Sequence, residues 1–292
     1  MPPQLLEIRS AHDVPVTVYR WDPAGPPRGI VQLAHGMGEH LLRYEALAAN
    51  LTDAGFVVVG QDHRGHGATA QDGHQGELGE GGWDELVRDI GRVSELVRAD
   101  HPDLPLVLLG HSMGSFAAQQ YVLDASRELA GLVLSGTTTL DLLEPALDLD
   151  GPTDLSAFNA PFAPARTDYD WLSRDEAQVD AYVADPRCGF GLSAPDNKQM
   201  FVSARQMADP ERLRGLRTDL PVYVVVGDAD PLNGQLTLVH ALVQRLQENG
   251  LTDVTLQSYE GARHEVFNET NRAEVVADLI AWLDRVVPGS RA

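Results

Sequence analysis

Short apolar runs alternate with longer amphipathic stretches along most of the chain. The runs are rich in Val and Leu, as are parallel strands that are covered on both faces. The stretches between them have the spacing of amphipathic helices. The predicted buried strands are 29–34, 56–59, 104–109, 132–134, 222–226 and 254–256. The predicted helices are 42–54, 83–100, 113–123, 236–248 and 274–286.

Two further segments, 6–9 and 14–21, alternate or nearly alternate apolar and polar residues, as half-exposed edge strands do. A turn rich in Pro and Gly separates them from the first buried strand. Strands that alternate with helices of this length predict an α/β fold. We expect a mostly parallel, doubly wound sheet of about eight strands.

The stretch between Ser135 and Leu220 breaks this alternation, because it holds no run that predicts a sheet strand. It is far longer than a usual loop, and its aromatic and Leu residues argue against disorder. Segments 171–185 and 197–207 have the composition of short helices. We therefore predict a core of residues 1–136 and 215–292. Residues 137–214 would form an inserted helical cap over the carboxyl edge of the sheet, where open α/β sheets bind ligands.

Composition and charge exclude several classes of partner. The formal net charge is −21, which argues against binding to nucleic acid or to anionic membrane surfaces. No apolar stretch is long enough to span a bilayer, so we predict no integral membrane segment. Cys188 is the only cysteine, which excludes an intrachain disulfide. With no apparent signal peptide, this predicts a cytoplasmic location.

The pattern Gly-x-Ser-x-Gly at 110–114 lies where a predicted strand meets a predicted helix. A nucleophilic serine at such a corner has a strained backbone, and glycines two residues to either side leave room for it. The corner would expose the Ser112 hydroxyl above the sheet. The N–H group of Met113, at the start of the helix, would face a developing oxyanion. Alone, the pattern also fits a tight structural turn.

A serine nucleophile needs a base, and the base needs an orienting acid. In parallel sheets with this serine corner, the acid and then the histidine follow later strands. Asp230, in the loop after strand 222–226, is the predicted acid. Asp228 competes with it, but lies closer to the strand end and could tie down the turn. His264 is the predicted base, because among ten histidines it alone follows the last strand in a glycine-containing loop.

The loop after strand 29–34 should supply the second oxyanion donor, from the N–H group of Met37. His35 in the same loop is expected to brace it by hydrogen bonding. Two glycines there also suggest a dinucleotide site, but Leu41 stands where the third glycine would be, which excludes that site.

His63 and His66 lie in a His- and Gly-rich turn after the next strand. They could be metal ligands, but no further Cys or His with ligand spacing stands beside them. His264-Glu265 likewise lacks the second histidine of a zinc helix. We therefore predict a structural turn, no metal and no cofactor.

Together these motifs resemble those of α/β-hydrolases of the monoacylglycerol lipase and lysophospholipase group. The resemblance covers nearly the whole chain except the cap and rests on segments 35–44, 62–67, 110–114, 227–230 and 259–264. It implies a serine esterase with an α/β-hydrolase core, a mobile apolar-lined cap and no cofactor. It also implies that Glu39 and Arg43 line the polar end of the site, beside the leaving alcohol. The alternative for these two residues is a surface ion pair.

The chain departs from the group in two places. Ser115 stands where many members have a further glycine. Four acidic residues near the start of the cap make it less apolar than a lid that docks on a lipid surface. They are Asp141, Glu144, Asp148 and Asp150. This favours a small-molecule ester or a monomeric lipid as substrate.

The sequence thus predicts a serine carboxylic ester hydrolase, in which Ser112, His264 and Asp230 work through an acyl-enzyme. Two alternatives remain: an amide or peptide hydrolase on the same fold, and a non-catalytic ligand-binding protein that kept the fold. Acyl-chain length, the natural alcohol and the oligomeric state are not predicted.

Overall fold

The computed structural model describes residues 2–147 and 149–288, so Asp148 lies outside the described residues. Within these ranges the chain forms one eight-stranded sheet. The strands are β1 (Gln4–Arg9), β2 (Pro15–Trp21), β3 (Gly29–Ala34), β4 (Phe56–Gln61), β5 (Leu106–His111), β6 (Gly131–Ser135), β7 (Val222–Gly227) and β8 (Val254–Tyr259). Their order is β1-β2-β4-β3-β5-β6-β7-β8. β2 runs antiparallel to both of its neighbours, β1 and β4, and all other neighbouring strands pair in parallel. This confirms the predicted mostly parallel sheet.

Helices cover both faces of this sheet. The α-helices are α1 (Glu45–Asp53), α2 (Gly82–Asp100), α3 (Met113–Ala125), α4 (Leu140–Leu143), α5 (Glu176–Ala184), α6 (Ala194–Ala204), α7 (Pro210–Arg214), α8 (Thr237–Glu248) and α9 (Arg272–Val286). No helix within the described ranges is long and apolar enough to cross a bilayer.

Each inner strand contributes to two hydrophobic cores, because successive side chains of a strand point to opposite faces. Ile30 and Leu108 pack with α2, α3 and α8. Their neighbours Val31 and Leu109 pack with α1 and α9 on the other face. The alternation explains why these strands are apolar throughout and why the sheet is doubly wound.

The chain between β6 and β7 forms no strand among its described residues and contains α4 to α7. Helix α6 is attached to the segment that leads into α2. The N–H group of Trp83 donates to the Gln199 side chain at 3.0 Å, and that of Leu78 donates to Asp196 at 3.0 Å. The boundaries 137–214 of the cap remain a prediction.

A second attachment joins residues 171–175 of the insertion to the loop after β8. The N–H group of Glu265 donates to the Leu172 carbonyl at 2.8 Å. Glu269, which is fully buried, accepts hydrogen bonds from the Arg174 guanidinium at 2.9 Å and from the N–H group of Arg263 at 2.9 Å. This part of the insertion is therefore fixed to the chain on both sides of His264.

The turn between β5 and α3 brings two backbone segments very close together. Ser112 has φ 51° and ψ −122°, a strained conformation for a residue with a Cβ atom. A Cβ atom on Gly114 would lie 2.1 Å from the Ala34 carbonyl oxygen, and one on Gly110 would lie 2.4 Å from the Gly114 carbonyl oxygen. Both glycines of the serine motif are therefore required by space.

We predict that Gly114→Ala lowers the free energy of unfolding by about 3 kcal/mol, because the new methyl group meets backbone that cannot move aside. Gly25→Ala is the matched control, since a Cβ atom there would have no neighbour within 4 Å. Urea denaturation followed by circular dichroism measures both variants. Equal losses in the two variants would contradict the close approach.

Candidate active site

A cavity of about 310 Å³ lies at the carboxyl edge of the sheet, between the core and the insertion. Its core side includes Ser112, Met113, His264 and the loop residue Met37. The insertion contributes a largely apolar wall, which includes Leu140, Leu143, Leu147, Phe158, Trp171 and Phe201. The structure thus brings the predicted nucleophile, base and oxyanion donors to one apolar pocket.

His264 and Asp230 form a buried pair, and each is 2% exposed. His264 Nδ1 and Asp230 Oδ2 are 2.8 Å apart. The other Asp230 oxygen accepts the N–H group of Leu232 at 2.9 Å, which fixes the carboxylate. Because a carboxylate accepts, Nδ1 carries the proton and Nε2 is left as an acceptor. Burial alone would lower the pKa of His264, but the Asp230 carboxylate outweighs it and raises the pKa above its ordinary value.

Asp228 has a different place in the structure. Its Oδ1 accepts the N–H group of Gly261 at 2.7 Å. It thus ties the loop after β7 to the loop after β8 and makes no contact with the imidazole among the described hydrogen bonds. Of the two aspartates that the sequence left in competition, the structure brings Asp230 to His264.

The imidazole of His264 is held between two other rings. The His111 ring lies 4.8 Å from it between centroids, and the Trp171 ring lies 4.8 Å away. Burial lowers the pKa of His111 well below its ordinary value, so this residue stays neutral. Since His111 directly precedes Ser112, the contact between the His111 and His264 rings places the base beside the backbone of the nucleophile.

The N–H groups of Met37 and Met113 donate to no protein acceptor among the residues that the structure describes. Both residues line the cavity together with Ser112. Buried N–H groups are rarely left without an acceptor. Two such N–H groups, on residues that line one pocket, are what an oxyanion site requires.

The loop that carries Met37 is braced from two sides. His35 Nε2 accepts the N–H group of His63 at 2.9 Å, and its Nδ1 lies 2.8 Å from the Gly36 carbonyl oxygen. The N–H group of Gly36 donates to Glu39 at 2.6 Å. Burial lowers the pKa of His35 to about 3. His35 is therefore a neutral structural residue, as predicted.

The turn after β4 is likewise structural. The Asp62 carboxylate accepts the N–H groups of Leu41 at 2.8 Å and Ala68 at 2.7 Å. Burial lowers the pKa of His66 to about 3 and that of His63 well below its ordinary value. Neither histidine is charged near neutral pH.

One group in the described residues has the composition of a metal site, namely His40, Asp185 and Cys188. Existing contacts occupy Asp185 and one ring nitrogen of His40. His40 Nε2 lies 2.9 Å from Asp185, and Arg187 donates to both Asp185 oxygens. Burial raises the pKa of the Cys188 thiol to about 12. Asp185 of this group forms an ion pair with Arg187.

Glu39 and Arg43 are buried, and they share a partner that the sequence did not reveal. Arg43 donates to Glu39 at 2.6 Å and to the two oxygens of Glu265 at 2.5 and 2.7 Å. The side chains of Arg43, Glu39 and Glu265 are 11%, 4% and 6% exposed. Glu39 and Glu265 line the cavity, whereas Arg43 lies behind them, under the Tyr182 ring.

A single cation thus compensates two neighbouring carboxyl groups. Burial raises the pKa of Glu39 above its ordinary value, although Arg43 opposes the shift. Burial also acts to raise the pKa of Glu265, but Arg43 outweighs it and holds the pKa below the ordinary value. Glu265 is therefore the more firmly ionised member of the pair.

Sequence reasoning missed Glu265, Trp171 and Tyr182 as residues of the site. Glu265 carried one usable signal, because an acidic residue directly beside a predicted catalytic histidine is expected to enter the same site. Trp171 and Tyr182 carried none, since the insertion has no period that fixes which side chains face the sheet.

The chain is similar to several known proteins. Residues 25–271 match the family model described as serine aminopeptidase, S33. The monoacylglycerol lipase of Mycolicibacterium smegmatis is 34% identical over 94% of this chain and 93% of its own length. Human monoglyceride lipase is 31% identical over 85% of this chain and 79% of its own length.

The chain is also similar to solved structures of other proteins. A thermostable carboxyl esterase from Bacillus coagulans, in complex with glycerol, superposes with a TM-score of 0.86 at 31% identity, over 98% of this chain and 99% of that chain. A monoglyceride lipase from Saccharomyces cerevisiae superposes with a TM-score of 0.78 over 99% and 97% of the two chains. Its identity of 21% supports a likeness of fold alone.

We predict that Arg43→Met lowers the free energy of unfolding by about 3–5 kcal/mol, because it leaves two buried carboxyl groups without a cation. Arg205→Met is the matched control. It breaks the ion pair between Arg205 and Glu144, in which the Arg205 side chain is 58% exposed. Chemical denaturation compares the two. If Arg43→Met unfolds at the same midpoint as Arg205→Met, the buried network does not stabilise the fold.

Proposed function

Since this chain belongs to the serine aminopeptidase S33 family of α/β-hydrolases, we propose that it cleaves monoacylglycerols or similar small esters through an acyl-enzyme on Ser112. The predicted α/β-hydrolase fold is confirmed, and the chain is an ester-hydrolysing enzyme. One observation carries the finer proposal. One largely apolar cavity is lined by Ser112, by His264 with Asp230 bonded behind it, and by Met37 and Met113, whose N–H groups have no acceptor among the described residues.

Acylation begins when Ser112 attacks the ester carbonyl and His264 Nε2 takes the hydroxyl proton. Asp230 holds the imidazole in the tautomer that can accept this proton and stabilises the imidazolium that forms. The N–H groups of Met37 and Met113 bind the oxyanion of the tetrahedral intermediate. Collapse of the intermediate expels the alcohol, which takes the proton from His264.

Deacylation repeats these steps with water. His264 removes a proton from water, the hydroxide attacks the Ser112 acyl carbonyl, and the same two N–H groups bind the second oxyanion. The fatty acid leaves as Ser112 regains its proton. The reaction consumes one water and uses only groups of this chain.

The apolar wall from the insertion is suited to an acyl chain, which supports a cap role for residues 137–214. Two of the acidic residues at the start of this segment form ion pairs with Arg residues. Asp141 binds Arg245, and Glu144 binds Arg205. Such a rim favours monomeric esters over a lipid surface. A cytoplasmic location stays a prediction.

An amide or peptide hydrolase is the second candidate, because the matching family model is described as a serine aminopeptidase. Its substrate's amino terminus would need a carboxylate in the cavity. Glu39, Asp154 and Glu265 line the cavity. Glu39 and Glu265 already bind Arg43, and Asp154 accepts hydrogen bonds from Ser156. Comparing a nitrophenyl acyl ester with an amino-acyl anilide separates the two activities, and we expect faster cleavage of the ester.

We predict that Ser112→Ala lowers kcat by about a millionfold, because the nucleophile is lost. The thermal midpoint should stay nearly unchanged, since the glycines that shape the turn remain. A fluorophosphonate probe should label the wild-type protein and leave the variant unlabelled. Absence of labelling in the folded wild-type protein would favour a non-catalytic binding protein.

We predict that Asp230→Asn lowers kcat/KM by about ten thousandfold. The acid limb of its pH–rate profile should also move to lower pH. The base must be unprotonated, so the wild-type rate rises as pH passes the His264 pKa, above the ordinary value of 6.5. Removing the carboxylate lowers that pKa. Asp228→Asn is the control and should keep the wild-type acid limb, because Asp228 bonds only the loop backbone among the described contacts. A pH–rate profile of each variant measures the difference.

A further inference from the structure

The position of the leaving alcohol follows from the direction of proton transfer. In acylation the alcohol oxygen takes its proton from His264 Nε2, so the alcohol must lie against the His264 side of the cavity. The acyl chain extends the other way, into the rest of the cavity. The side chains that meet the alcohol are therefore those lining the cavity beside His264.

Glu39 and Glu265 are two of the three carboxyl side chains that line the cavity, the third being Asp154, and no Lys or Arg side chain lines it among the described residues. Glu265 directly follows His264, and Glu39 belongs to the loop that carries Met37. Arg43, the cation nearest to them, donates to both and lies away from the cavity surface. With both carboxyl groups ionised, Glu39, Glu265 and Arg43 together carry one net negative charge.

Other cations around the insertion are directed elsewhere. Arg263 stacks over the Phe162 ring at 4.4 Å and donates to the Ser173 carbonyl. Arg174 binds the buried Glu269. Lys198 pairs with Asp150 at the surface. None of these lines the cavity.

Charge burial decides what such a pocket accepts. A phosphate group brought beside two carboxyl groups loses its hydration and finds no cation in exchange, which is strongly unfavourable. A neutral hydroxyl group can be accommodated without that loss. A quaternary ammonium group gains the attraction of the carboxylates.

We propose that this cavity selects its leaving alcohol by charge: it accepts neutral and cationic alcohols and rejects alcohols that carry a phosphate. This selection rests on the proposed ester hydrolysis at Ser112 and restricts the range of esters that the enzyme cleaves. Esters of glycerol and of quaternary amino alcohols are substrates, whereas lysophospholipids with a terminal phosphate are not.

Three esters with the same octanoyl chain test the proposal: 1-octanoylglycerol, octanoylcholine and 1-octanoylglycerol 3-phosphate. Each is assayed below its micelle concentration by the octanoate released. We expect kcat/KM for the first two to agree within about tenfold, and that for the phosphate ester to be at least about 100-fold lower.

Glu265→Gln should raise kcat/KM for the phosphate ester, relative to the glycerol ester, by about tenfold, because it removes one charge and keeps the side-chain shape. Asp253→Asn is the matched control. It removes a carboxylate that pairs with Arg285 away from the cavity, so the ratio should not change. An equal change in both variants would assign the selectivity to overall charge and overturn the proposal.

Product inhibition of the wild-type enzyme supplies a second measurement that needs no variant. Choline should inhibit 1-octanoylglycerol hydrolysis at lower concentration than glycerol 3-phosphate does. The reverse order overturns the proposal, as does cleavage of the phosphate ester at the rate of the glycerol ester. If none of the esters is cleaved and the fluorophosphonate probe does not label Ser112, the proposed function fails first and the charge selection falls with it.

Discussion

The close crossing of α3 over the carboxyl end of β3 is the constraint on which the site depends. At Gly114 the helix backbone comes so near the Ala34 carbonyl that no side chain fits between them. This contact holds the first turn of α3 beside the loop that follows β3. It thereby sets the positive φ of Ser112 and brings Met113 and Met37 to one pocket. Strain in one residue is maintained by packing in its neighbours.

The parts of the fold that could be predicted are those governed by local rules. Apolar runs located the inner strands, and the glycines around Ser112 marked the corner. Strand ends were less certain, because β4 continues to Gln61 and β8 to Tyr259. These extensions are stabilised by backbone pairing with the adjacent strands, at Ala34 and Gly227. Hydrophobic pattern does not report such pairing.

The candidate site divides in the same way. The order of Ser112, Asp230 and His264 follows from the topology of the sheet, so the sequence was sufficient to nominate them. The link between Arg43 and Glu265 joins residues 222 positions apart and exists only because two loops meet above the sheet. Similarly, Trp171 reaches His264 through the path of the insertion, which no periodic pattern encodes. Contacts of this kind require coordinates.

The attachment of residues 171–175 to the loop around His264 makes the two parts of the insertion respond differently to substitution. The Trp171 ring contacts the imidazole of His264, and Arg174 binds the Glu269 carboxylate, which also accepts the N–H group of Arg263. Substitutions in residues 171–175 disturb the imidazole of His264 directly. Leu140, Leu143 and Leu147 line the same cavity from α4 and the turn after it. Substitutions in α4 and the turn after it, by contrast, alter the wall of the cavity on the side that this attachment does not hold.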